Sequence, residues 1–255
     1  MLFTHSTFIG IDPTAGERPF TYAALNDGLE LLALGHGNME EVLAFIAGQR
    51  EAVVAISAPS QPNQGVMQRP EVRENLSPPP RPGRWTNFRL AEYRLRQHNI
   101  NIPQTRASAS ACPRWMQNSF ILFKRLKELD YVAYPRENAS HQWIEVYPHA
   151  AYTTLLGHIP FTKHTIEGRI QRQLVLYEEN LNVPDPMRVF QEITRHRLLQ
   201  GVLSLENLYQ PEELDALISG YTAQKAARHP DQTMLVGDPE EGQIVLPVSA
   251  LKRHY

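Results

Sequence analysis

The chain has 255 residues, 42% hydrophobic and 20% charged, which suits a globular protein able to bury a full core in one large α/β domain or two small ones. The single cysteine, Cys112, excludes an internal disulfide and a cysteine-based zinc cluster, and no apolar run reaches the roughly 18 residues of a membrane span. The net charge of −2 hides nine arginines and no lysine against three acids between Arg69 and Arg114, on an otherwise acidic body.

Phe8-Ile9-Gly10-Ile11-Asp12 reads as a buried strand that delivers a carboxylate and is stopped by Pro13, which lacks a ladder donor. A carboxylate at the end of a buried strand needs a metal, a ligand or a helix N-terminus to solvate it, unless Asp12 merely opens a turn. Phe20 to Leu25 and Leu29 to Leu34 form a hairpin about Asn26-Asp27-Gly28. Asn38 with Glu41 opens a helix in a capping-box pattern. Ala52 to Ile56 is a continuous apolar strand, expected parallel to the first across a right-handed crossover.

From Pro59 to Pro82 there are seven prolines, which exclude regular helix and central strand and predict a long irregular excursion over about 59–86. It is expected to be poorly packed or to border the Asp12 cleft. Trp85 to His98 reads as a basic helix, and Pro113 opens another that runs to about Leu129. Trp143 to Tyr147 is a strand in which Glu145 faces the same side as Trp143 and Tyr147, and Pro148 starts a helix ending near Gly157.

Helical spacing covers Thr165 to Leu181, with Arg169 and Arg172 one turn apart and Lys163 just before. Asp185-Pro186 starts a helix that Gly201 ends. Pro211 to about Arg228 is a helix whose small residues Ala216, Gly220, Ala223 and Ala227 allow close approach to a sheet, with Asp215 beside that stripe. Gly237 to Gly242 is a turn before a last strand, Gln243 to Leu246. No repeat and no linker divides the chain, so residues 1–255 form one domain.

Periodicity alone gives an α/β protein. The ordered set Ile9-Gly10-Ile11-Asp12, Val54-Ala55-Ile56-Ser57-Ala58-Pro59, Ile144-Glu145-Val146-Tyr147-Pro148-His149-Ala150, Lys163-His164-Thr165, Gly168-Arg169, Asp215-Ala216-Leu217 and Gly237 to Pro247 resembles the predicted ribonuclease H-like nucleases known as domain of unknown function 429. That resemblance spans nearly the whole chain. It implies a ribonuclease H-like fold, a mixed central sheet flanked by helices, and a divalent-metal nuclease using Mg²⁺ or Mn²⁺. The matching acids are Asp12, Glu145 and Asp215. Ser57 stands where the family pattern often has an aspartate, so a metal site loses a carboxylate there.

Two ions roughly 3.5–4 Å apart between these acids would serve phosphodiester hydrolysis, with Ser57 as a weak ligand. Lys163, Arg169 or Arg172 would offset the developing charge. Arg69, Arg73, Arg81, Arg84, Arg89 and Arg96 would grip a nucleic-acid backbone, although such arginines can also be plain solvated surface. A binding module of the same fold with weakened catalysis, or an oligomeric scaffold using the excursion as a dimer arm, are the alternatives. A sugar-kinase-like phosphotransferase is disfavoured, because neither a second half nor a glycine-rich loop is present. No membrane association and no secretory leader are expected, hence a cytoplasmic protein.

Overall fold

The computed structural model describes residues 6–14, 16–192, 194–203 and 205–255. Its centre is β1 (Ser6–Pro13), which pairs antiparallel with β2 (Phe20–Leu25), itself antiparallel to β3 (Leu31–Gly37). Asn26 Oδ1 accepts from the amides of Gly28 and Glu30 and so closes the expected hairpin. Helix α1 (Met39–Ala47) carries the full capping box: Asn38 accepts from the Glu41 amide and the Glu41 carboxylate from the Asn38 amide. It leads into β4 (Glu51–Ile56), parallel to β1.

The excursion follows β4. It contains α2 (Pro70–Glu74) and packs Val66, Met67 and Leu76 against Leu90 and Tyr93 of α3 (Leu90–Gln97). The expected poor packing thus holds for residues 77–84, which are largely exposed, and not for the part before them. The guanidinium of Arg73 donates to the carbonyls of Met67, Arg81 and Arg84 and ties the proline-rich turns together. Helix α3 is shorter than the expected Trp85 to His98, because Trp85 sits at φ 67° in a turn closed by the Phe88 amide.

Beyond α4 (Arg114–Glu128) come a two-residue strand β5 (Val132–Ala133), β6 (His141–Val146) and α5 (Pro148–Leu156). Helix α6 (Ile166–Glu178) starts where the Thr165 hydroxyl caps the Gly168 amide. Two short helices, α7 (Arg188–Glu192) and α8 (Arg195–Leu199), replace the single helix expected between Asp185 and Gly201, and residue 193 between them lies outside the described residues. Helix α9 (Pro211–Arg228) and the hairpin of β7 (Met234–Asp238) with β8 (Gly242–Leu246) complete the chain. The eight-stranded mixed sheet has the order β3-β2-β1-β4-β6-β8-β7, with β5 also on β6. β5 and β7 were not expected from the sequence.

Strand alternation divides the core into two layers. Ile9 and Ile11 face α1 and α4 through Val42, Ile46, Leu122 and Phe123. Phe8 faces the other way, toward Leu214, Leu217 and Tyr221 of α9. Gly10 shares that face, and a Cβ there would stand 1.9 Å from the Ala216 carbonyl oxygen and 2.4 Å from the Gly220 nitrogen. The small-residue stripe does what its spacing predicts and lets α9 lie on β1 backbone to backbone.

Gly10→Ala should therefore cost on the order of 3 kcal/mol or more, because only backbone can yield to the new methyl group. Urea unfolding would measure it against Gly16→Ala, where the space for a Cβ is open within 4 Å and the change should stay within about 0.5 kcal/mol. Equal midpoints for the two variants would refute the close contact.

Candidate active site

The parallel register that pairs Ile11 with Ile56 carries Asp12 and Ser57 to the same end of the sheet, both turned toward α9. The Ser57 amide donates to the Ile11 carbonyl at 2.9 Å. Its hydroxyl oxygen lies 2.7 Å from Asp12 Oδ1 and 3.1 Å from the Ile11 carbonyl oxygen. Asp215, in the second turn of α9 and next to Ala216, lines the same cleft, where Lys163 Nζ donates to its Oδ2 at 2.7 Å. The cleft holds about 710 Å³, and His149, Arg172 and Glu212 also line it.

The electrostatics are those of two carboxylates forced together. Burial, and then the charge of Asp215, push the Asp12 pKa up to about 7, against the pull of the Ser57 hydroxyl and Lys163. Burial also raises Asp215, although Lys163 and Arg172 oppose it. Burial works against the charged form of Lys163, but Asp215, Asp12 and Glu212 outweigh it and hold the ammonium above the ordinary lysine value. His149 is lowered by burial and by Arg172 and Lys163, which keeps its imidazole neutral at pH 7.

Glu145 does not join this group. Ile144 and Val146 of β6 pack on the α9 side, so Glu145 points through the sheet to the opposite face, with Trp143 as expected from alternation. There its Oε1 accepts from the Ser60 amide and its Oε2 from Arg89 Nη2, each at 2.8 Å, and both side chains of the pair are 1% exposed. Arg89 Nη2 also donates to the Gly242 carbonyl. Glu92 and Glu241 are buried beside the pair and accept backbone amides of Arg89, Thr105, Val66 and Leu90.

The predicted cations separate in the same way. Lys163 and Arg172 are at the cleft. Arg172 Nη1 donates to the Phe161 and Gly168 carbonyls, and its guanidinium lies over the Tyr152 ring. Arg169 is not at the cleft, because it is turned to the Leu208 and Tyr209 carbonyls. Of the six arginines expected to grip nucleic acid, Arg89 is locked on Glu145 and Arg69 pairs with Glu240. Arg73 laces the excursion, and Arg96 donates to the Ile102 carbonyl and lies over the Phe88 ring. Arg81 and Arg84 are exposed. No described residue between 59 and 86 lines the cleft, so the excursion does not border it as expected.

Sequence reasoning missed Glu212 and His149. Glu212 stands three residues before Asp215 on α9, a spacing that shares a helix face and was legible. His149 follows Pro148 at the start of α5, and its place in the cleft depends on a turn that no local signal describes.

Two outcomes follow for the acids. With its folded pKa raised, Asp12 contributes stability that is fully present below pH 4 and lost as pH rises through about 7. Asp12→Asn should therefore raise the unfolding free energy of metal-free protein at pH 8 by a few kcal/mol, at about 1.4 kcal/mol per pKa unit, and leave it nearly unchanged at pH 4. A pH-independent difference in urea midpoints would contradict the shift. Arg89→Met should cost roughly 3–5 kcal/mol by stranding buried carboxylates, while Arg81→Met changes little, as paired urea titrations would reveal.

Comparison with curated proteins and with solved structures gives no match to the chain. A family model described as "Protein of unknown function (DUF429)" matches residues 10–241, a span that begins in β1 beside Asp12 and ends at the buried Glu241. The chain thus belongs to the DUF429 family.

Proposed function

We propose that this chain is a phosphodiester hydrolase, a nuclease of ribonuclease H-like type, working in the cleft of Asp12 and Asp215 with one divalent ion, Mg²⁺ or Mn²⁺. The observation that carries it is the buried pair itself: two carboxylates share one cleft, and burial together with the charge of Asp215 drives Asp12 to a pKa of about 7. The order β3-β2-β1-β4-β6, antiparallel then parallel about β1, supports the ribonuclease H-like assignment.

The two-ion arrangement implied by the family resemblance does not fit these residues. Glu145 lies on the other face and Ser57 brings no charge. Among the described residues no three His, Cys, Asp or Glu side chains form a protein cage for an ion. One hard cation does fit, because Mg²⁺ is commonly held by one or two carboxylates, waters and substrate phosphate. Asp12 and Asp215 would hold it, and when bound it supplies a positive charge that polarises a phosphoryl oxygen.

The chain's own groups do the rest. Ser57 donates to Asp12 Oδ1 and fixes that carboxylate. His149, kept neutral, is a group in the cleft suited to accept a proton from the attacking water at pH 7. Lys163 has three donors, of which Asp215 takes one, leaving the others to a phosphate oxygen. Arg172 adds fixed charge from behind the loop it holds.

A binding module without turnover is the second reading, favoured by one contact: Lys163 already sits on Asp215 where a cation would be sought. Cleavage titrations of an oligonucleotide against Mg²⁺ and Mn²⁺ separate the two. Hydrolysis should saturate with a Hill coefficient near one, in keeping with a single ion. Asp12→Asn should lose at least about 10³-fold, and Ser57→Asp should bind Mn²⁺ more tightly while being less stable without it, since a further acid adds repulsion. Hydrolysis that is metal-independent and equal in all three proteins would overturn the proposal, and none at all would leave the binding module.

A further inference from the structure

The loop joining α5 to α6, residues 157–165, carries two apolar side chains that its own fold does not bury. Phe161 is 61% exposed and Ile159 40%, and both line the cleft of Asp12 and Asp215. A scattered exposed apolar residue on a pliant loop needs no explanation. This loop is pinned. A Cβ on Gly168 would stand 1.9 Å from the Thr162 carbonyl oxygen, so α6 touches the loop backbone directly. The Phe161 amide donates to Gln171 Oε1 at 2.7 Å, and its carbonyl accepts from the buried Arg172 at 2.8 Å. Two residues on, Lys163 is held by Asp215. The backbone that carries the exposed ring is thus held at the cleft of the acids, and Trp115 and Tyr147 line the same cleft.

Two cations belong to this local site. Lys163 and Arg172 lie at the cleft. Arg69, Arg73, Arg89 and Arg96 are bound to carboxylates or carbonyls away from it, and the exposed Arg81 and Arg84 do not line it. A volume of about 710 Å³ is that of a small-molecule site and has room for one or two nucleotide units.

Resting on the hydrolase reading above, we propose that the cleft takes a single nucleotide unit, with its base on the Phe161 ring and its phosphate at Lys163, and does not engage duplex nucleic acid along its length. Base stacking on an aromatic face is tolerant of sequence, so discrimination among bases is expected to be weak. The unit has two sources, a free nucleoside phosphate or the end of a single strand.

Calorimetric titration of the full chain with adenosine monophosphate, a dinucleotide, a 12-nucleotide single strand and a 12-base-pair duplex tests this, in EDTA and again with Ca²⁺. Affinity should level off by the dinucleotide, and the duplex should bind at least about 10-fold more weakly. Equal affinity for monophosphate and dinucleotide identifies the free nucleotide as the source, and a gain confined to the second unit identifies a strand end. Phe161→Ala should weaken the monophosphate by roughly 10-fold or more with an unchanged melting temperature, and Phe161→Trp should restore it. Affinity that climbs with strand length, preference for duplex, indifference to Phe161→Ala, or no binding in either buffer would overturn the inference. Binding in EDTA with no hydrolysis under any metal would instead remove only the hydrolase reading.

Discussion

The contact of α9 with β1 through Gly10 is the constraint on which the rest depends. Nothing but backbone separates the helix from the central strand at that point, so the two elements move as one body. Asp12 lies two residues beyond Gly10 on the same face, and Asp215 adjoins Ala216, whose carbonyl meets Gly10. The backbones that carry the two acids are therefore fixed relative to each other. Burial, and then the charge of Asp215, emerge as a raised proton affinity at Asp12.

A second buried charge system stiffens the opposite face. Arg89 faces Glu145, Glu92 and Glu241, and backbone amides from the segment after β4 and from the start of α3 also donate to the side chains of Glu145 and Glu241. These bonds reach across the chain: Glu241 closes the β7–β8 turn onto residues 66 and 90, and Glu145 ties β6 to residue 60. A proline-rich segment with few ladder bonds of its own is thereby held by carboxylates from the sheet. Arg73 and Arg89 of the arginine-rich stretch help to hold that fold, while Arg81 and Arg84 stay exposed.

Much of this was legible in the sequence wherever the signal was local. The capping box at Asn38, the hairpin at Asp27-Gly28, the stop at Pro13 and the small-residue stripe of α9 are short-range chemistry, and each appears as expected. Asp12, Asp215, Ser57 and Lys163 were rightly singled out as neighbours, because strand ends and a family resemblance locate them together. Glu145 shows what was not legible. Alternation correctly paired it with Trp143, but the side of the sheet on which that pair falls relative to Asp12 depends on the relative pleat of two strands separated by β4. The places of Arg73, Arg96 and Arg169 were not legible for a similar reason: their partners are carbonyls, and a carbonyl leaves no mark in an amino-acid string.

Ser57 has one proton and two acceptors within reach, Asp12 Oδ1 and the Ile11 carbonyl oxygen. While Asp12 is ionised the hydroxyl favours the carboxylate, the stronger acceptor. Once Asp12 takes up a proton of its own, the serine can rotate about a single bond to the carbonyl and still be satisfied. An aspartate at this position would have no such second setting. The neutral residue after β4 thus lets the strand end hold a carboxylic acid or a carboxylate in one backbone geometry, a tolerance suited to a group that changes charge near neutrality.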